Sequence, residues 1–128
     1  MRTKLDIADV GDLLDSQLLA TLATYDGHGV VRLSPVWFLW SEGGFTIAIG
    51  IDDVKARHLR NDSRASVVVA ELETPMRGVE VRGVAELLPQ SPEIDRRIAE
   101  RYIDAREVDG YLAGVPPGAC ARPRAVSV

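Results

Sequence analysis

The stretch SPVWFLWSEGGFTIAIG, residues 34–50, carries both tryptophans and both phenylalanines of the 128-residue chain. A strand sends successive side chains to opposite faces, so a strand buried on one face alternates apolar and polar residues. This stretch does not alternate. Val36, Phe38 and Trp40 share one parity, and Trp37 and Leu39 the other. After the turn Ser41-Glu42-Gly43-Gly44, Phe45, Ile47, Ile49 and Ile51 share a face, while Thr46, Ala48 and Gly50 keep the opposite face small. The pattern predicts a hairpin with one side for a core and another that must meet a second surface: another subunit, a flat ligand, or both.

The rest of the chain is read from the same periodicities. Ile7, Val10, Leu13 and Leu14 recur at helical spacing and predict a short N-terminal helix. LLATLATY (18–25) reads as a strand, and Asp26-Gly27 with Gly29 supplies the positive-φ residues of a tight hairpin turn. A second strand follows over 30–40 and a third over 45–51. VKARHLRND reads as one or two helical turns, with Asp52 or Asp53 capping the start. ASVVVAEL (65–72) and the alternating run over 79–87 are the next strands, with Gly83 marking a bulge or bend. Ser91-Pro92-Glu93 opens a helix with Ile94, Ile98 and Tyr102 on one face, punctuated later by Gly110 and Gly114. CARPRAVSV closes the chain as a sixth strand. Six short strands with helical additions predict a mainly β, α+β fold, a six-stranded antiparallel barrel.

No linker or repeat divides the sequence, so residues 1–128 are expected to form one domain. A net charge of -4 disfavours unspecific attraction to nucleic acid, and no run approaches the length of an apolar membrane span. One cysteine, Cys120, and acidic residues near the N-terminus predict a cytoplasmic protein without disulfides. No hydrolytic triad, metal-ligand cluster or glycine-rich nucleotide loop is present, so neither catalytic side chains nor a metal site are assigned.

The turn and strand DGHGVVRLSPVWFLW, the following GGFTIAIG, the run KARHLRNDSRASVVV and the segment MRGVEVRGVAEL together resemble the pyridoxamine 5′-phosphate oxidase-like split β-barrel family. Within it they are similar to the flavin/deazaflavin-dependent oxidoreductases of actinobacterial type. The resemblance spans roughly 12–128 and implies an FMN-binding type of split barrel. It also implies a homodimer with coenzyme F-420, a deazaflavin, or alternatively FMN, in an interface groove. By that resemblance Ser34, Pro35, Val36 and Trp37 lie along the cofactor ring, Ile49, Gly50 and Ile51 border the ribityl chain and phosphate, and Lys55, with Arg57 as a nearby basic helper, receives the phosphate. The implied activity is hydride transfer to a planar conjugated organic substrate. The ring carries that chemistry itself, so the absence of catalytic side chains is compatible with it.

Three positions depart from the family pattern. Where relatives usually have Arg, Ser or Thr ahead of the lysine, this chain has Asp52 and Asp53, and His58 replaces the usual Asn. Carboxylates beside a phosphate repel it unless they turn away. That departure supports a second expectation, a non-catalytic split-barrel protein that binds heme or another hydrophobic ligand.

Overall fold

Gly27 and Gly29 take φ values of 89° and 85°, a region that L side chains rarely enter, and so fold the chain back between its first two strands. Asp26 fixes the same turn, its Oδ1 accepting from the backbone N–H of His28 at 2.7 Å and of Val30 at 3.1 Å. The strands it joins are β1 (Ala20–Tyr25) and β2 (Val31–Val36), which pair antiparallel with Leu22 opposite Ser34. The computed structural model describes residues 11–41, 44–74, 76–115 and 118–127, with the backbone alone for 119–127. Ile7 and Val10 of the expected first helix, Glu42-Gly43 of the hairpin turn, and the side chains of Cys120, Arg122 and Arg124 lie outside the described residues. The described part of that first helix is α1 (Gly11–Leu14), which buries Leu13 and Leu14.

The remaining elements are β3 (Leu39–Ser41), β4 (Gly44–Gly50), α2 (Val54–Asn61), β5 (Arg64–Ala70), β6 (Gly78–Pro89), α3 (Pro92–Tyr102), α4 (Ala105–Ala113) and β7 (Gly118–Ser127). The seven strands form one sheet in the order β2-β1-β5-β6-β7-β4-β3, and each adjacent pair is antiparallel. This α+β architecture differs from the sequence expectation in two respects. The expected six strands are seven, and among the described residues no ladder joins β2 to β3, so hydrogen bonding leaves the sheet open.

Both differences arise in the apolar stretch. The single strand expected over 30–40 is two strands at opposite edges of the sheet, separated only by Trp37 and Phe38. The backbone leaves the ladder there, and a side chain replaces the lost partner: the Phe38 N–H donates to the Tyr102 hydroxyl at 3.2 Å. That hydroxyl in turn donates to the Leu18 carbonyl at 2.9 Å, tying the break to the segment ahead of β1. Periodicity in the sequence carries no sign of this interruption, because the residues on either side of it are all apolar.

The core follows the inward register row by row. Leu22 of β1 lies between Ser34 of β2 and Val67 of β5, and Val67 faces Val81 of β6; all four are buried. β4 adds Phe45, Ile47 and Ile49, and α2 lays Ala56 and Leu59 onto the same cluster. Phe38 and Phe45 meet edge to face at 5.2 Å, and Trp40 meets Phe45 in the same way at 4.9 Å. Each fully buried phenylalanine contributes about 1.5–3 kcal/mol relative to exposure. A bulge shifts the β6–β7 register between Arg82 and Gly83, where the sequence places it. Ser91 caps α3 by accepting from the Ile94 N–H at 3.3 Å, also as expected. The helical run beyond it ends at Ile103, and a new helix, α4, starts after Asp104, whose side chain accepts from the Arg106 N–H.

On the opposite face of the sheet, β2 leaves Val31 and Leu33 exposed, at 45% and 65%. In register with them, Ala23 of β1 faces Leu33, and Val68 of β5 faces Thr21 and is itself exposed. Strand β2 therefore keeps one greasy side uncovered, whereas β3 is packed.

Candidate functional site

α3 and α4 cross over the break between β2 and β3, and between them and the sheet lies a groove of about 670 Å³. That is a volume typical of pockets for small organic ligands. Its floor comes from β4, where Ala48 and Gly50 stand on the face the sequence keeps small. Pro35, Val36 and Trp37 form one wall, and Tyr111, Leu112 and Val115 another.

Trp37 is the most heavily supported of these side chains. Its ring stacks on Tyr102 of α3 at 5.0 Å and 6°, and leans on Tyr111 of α4 at 5.2 Å and 40°. Tyr102 is held by its two hydroxyl hydrogen bonds, and burial pushes its phenol pKa up, so at neutral pH it remains a protonated donor to Leu18. Arg101 covers the far side, with its guanidinium 4.7 Å from the Phe38 ring centre, and donates to the Ser16 carbonyl. The aromatic wall is thus fixed from α3, from α4 and from the segment before β1.

The other end of the groove is polar. Asp53 is the residue at which α2 begins, but its side chain makes no hydrogen bond to the helix backbone, contrary to the capping role expected for Asp52 or Asp53. It turns back instead: Oδ2 accepts from the Gly50 N–H at 2.9 Å and pairs with Lys55 Nζ at 3.4 Å. Gly50 and Lys55 draw the carboxylate away from the helix terminus. Gln90 and Asp95 complete this end, with Gln90 Nε2 donating to Asp95 Oδ2 at 3.1 Å and Gln90 Oε1 accepting from the Gly118 N–H at 3.3 Å. Gly118 has no alternative, since a Cβ there would stand 2.7 Å from the Ile49 carbonyl oxygen.

Of the residues singled out in the sequence, the groove brings together Pro35, Val36, Trp37, Ile49, Gly50 and Lys55. Ser34, Ile51 and Arg57 do not line it. Ser34 lies on the inward face of β2 and is buried in the core. Ile51 is exposed, and its carbonyl accepts from Arg60. Arg57 is exposed on α2. His58, at the position where relatives usually have Asn, shares a 3.0 Å hydrogen bond with the buried Thr24 hydroxyl. The helical side of the groove, with Tyr111, Leu112, Gln90 and Asp95, escapes sequence reasoning. The one signal for it is that two of the chain's three tyrosines, Tyr102 and Tyr111, stand in or next to the helical run after Ser91.

Within the groove the pieces suit a flat ligand: an aromatic wall, a floor without bulky side chains, and a lysine at one end. The lysine is already neutralised by Asp53. Among the described residues no cluster of His, Cys, Asp and Glu could hold a metal ion, and no helix is long and apolar enough to cross a membrane.

No functionally curated protein matches the chain in sequence. A conserved hypothetical protein from Mycobacterium tuberculosis is similar in structure, with a TM-score of 0.76 at 26% identity over 97% of this chain and 82% of that one. A heme storage protein, HutZ from Vibrio cholerae, has a TM-score of 0.74 at 20% identity, over 100% of this chain and 93% of its own. A protein described as an F420 reductase has a TM-score of 0.66 at 21% identity, over 91% and 92% of the two chains. At such identities the last two likenesses speak for the fold. A family model, that of pyridoxamine 5′-phosphate oxidase, matches residues 8–115, which is most of the sequence. The chain therefore belongs to the pyridoxamine 5′-phosphate oxidase family, whose split-barrel group includes flavin- and deazaflavin-binding proteins.

Proposed function

We propose that the groove holds a flavin-type cofactor and that the protein is an oxidoreductase, with coenzyme F-420 the first choice of cofactor and FMN the second. The observation that carries this reading is the groove itself: a slot of about 670 Å³ whose aromatic wall and small floor match a planar ring, in a family with flavin-binding members. When bound, such a ring supplies hydride chemistry. The chain's own part is to orient and to shield. Trp37, immobilised by Tyr102 and Tyr111, sets the plane of a ring lying along it, while Leu112 and Val115 keep that side of the slot dry. Lys55, paired with Asp53, stands at the polar end. The substrate class that fits the remaining opening is a planar conjugated organic molecule, able to lie parallel to the ring.

The reading includes a homodimer. Val31 and Leu33 on the outer face of β2, with Val68 beside them, form an apolar surface that a second copy would cover, and it lies next to Pro35 at the groove edge.

Titration of the purified protein with reduced coenzyme F-420, FMN and heme, followed by absorbance and fluorescence, tests the assignment. Saturable binding of a flavin or deazaflavin, with reoxidation on adding a quinone-like acceptor, is the expected result. Binding of heme alone would transfer the groove to the second reading, a non-catalytic protein for heme or another hydrophobic ligand. The observation on that side is Asp53, which removes the free positive charge that a phosphorylated cofactor seeks. Of the side chains that commonly ligate heme iron, the described lining includes Tyr111 but no histidine, cysteine or methionine.

A further inference from the structure

We infer that Asp53 is an internal anion: its carboxylate occupies the position in which the groove would receive the terminal phosphate of a ligand, so that any phosphorylated ligand must displace it. Two observations and one principle carry this. A backbone N–H and an ammonium group converge on one oxygen atom, Asp53 Oδ2, from Gly50 at 2.9 Å and Lys55 at 3.4 Å. A cation paired with a free backbone N–H is the donor set that oxyanions take from proteins. Both donors line the groove, as does Asp53 itself.

The close approach is built into the backbone. A Cβ on residue 50 would stand 2.9 Å from Asp53 Oδ1 and 3.1 Å from Cγ, so a larger residue there would push the carboxylate out of its present position. Asp53 also forgoes the helix cap that its position offers, and with it a stabilising bond to the first turn of α2. The neighbouring Asp52 is exposed and does not line the groove. The two carboxylates of the IDDV sequence therefore differ in kind: Asp53 competes by occupancy, and Asp52 acts only as a distant charge that salt screens.

The consequence is selectivity. With Lys55 neutralised and Asp95 at the same end, the groove favours the uncharged ring portion of a ligand over its phosphate. A ring without a phosphate binds with Asp53 in place, whereas its phosphorylated form first has to break the carboxylate's hydrogen bond to Gly50 and its ion pair with Lys55.

The test compares the parent with Asp53→Ser, which empties the cradle and can cap α2, and with Asp52→Asn, which removes a charge of the same sign one residue away. Inorganic phosphate is titrated first, followed through the Gly50 backbone amide resonance. The expected result is a saturable shift in Asp53→Ser and none over the same range in the parent or in Asp52→Asn. Riboflavin and FMN are then compared by fluorescence. Asp53→Ser should raise the FMN-to-riboflavin affinity ratio by roughly ten- to a hundredfold, and Asp52→Asn should leave it unchanged. An unaltered Gly50 resonance in Asp53→Ser, or equal effects of the two substitutions, would overturn the proposal. The second arm rests on the flavin reading, but the first does not. If riboflavin binds none of the three proteins, the flavin reading fails while the phosphate titration still decides the role of Asp53.

Discussion

Trp37 and Lys55 line the same groove, but the structure holds them in different ways. Trp37 stacks on two tyrosines from two helices, one of which is anchored by its hydroxyl to backbone at both Leu18 and Phe38. Lys55 has one charge partner, at 3.4 Å, and that partner is itself half exposed. The aromatic wall is thus part of what folds the molecule, because it closes the break between β2 and β3. The charged end could be altered without disturbing the sheet. The groove therefore has one end that is expensive to change and another that is free to vary.

The comparison is broken most directly at the wall. Trp37→Ala removes a half-buried aromatic with both of its stacking partners and should destabilise the protein by about 3 kcal/mol, measured by urea unfolding. A loss below about 1 kcal/mol would mean that the helices hold the groove without it. Tyr102→Phe keeps the stack and removes only the hydroxyl, leaving the Phe38 N–H and the Leu18 carbonyl without that partner. The expected cost is about 1–3 kcal/mol, and native-state hydrogen exchange should show the Phe38 amide losing protection first.

A second charged cluster sharpens the contrast, since here ions do join separate elements. Arg77 pairs with Glu71 at 2.5 Å and with Asp12 of α1 at 2.7 Å. Hydrogen bonds from Arg77 hold both carboxyl groups below their ordinary values of 4.5 and 3.8. Depressed carboxylate pKa values contribute stability that is present above those ordinary values and is lost as the pH falls through the lower folded ones. The melting temperature of the parent should therefore fall more steeply below pH 4.5 than that of Arg77→Gln; parallel curves would show the cluster to be without effect. Lys55→Ala lies at the small end of the series. Its stability should match the parent within about 0.5 kcal/mol, because a single ion pair whose partner is half exposed contributes little. A larger loss would contradict the division between wall and charged end.

Leu33→Lys tests the outer face of β2, where a charge on the apolar surface should lower the dimer population in light scattering without altering the melting temperature of the monomer. A parent that is monomeric at every concentration would remove the second copy from the proposal.

Strand and turn positions were legible in the sequence wherever local chemistry sets them. Asp26-Gly27 with Gly29 demands its turn by backbone sterics, Ser91-Pro92 starts a helix by capping and by the fixed φ of proline, and Gly83 marks the bulge in β6. The small face of β4 was legible as well, since Ala48 and Gly50 cannot fill a core, and in the structure they floor the groove. Family membership follows from the same local features, spread over most of the chain.

What only the tertiary structure decided is where those elements meet. The break at Trp37-Phe38 depends on a hydroxyl 64 residues away in sequence, and no local pattern encodes a partner at that distance. The tyrosine wall and the Gln90–Asp95 pair reach the groove because α3 and α4 fold over it, a placement that amphipathic spacing leaves undetermined. The direction of Asp53 is the sharpest case. Its position before a helix makes a cap the local expectation, and its choice of Gly50 and Lys55 instead depends on β4 delivering a glycine N–H within 2.9 Å. Sequence determined the elements and the small floor through steric and hydrogen-bonding preferences that act over a few residues. The groove's wall, and the anion that fills its charged end, depend on contacts that exist only once the sheet has brought distant segments together.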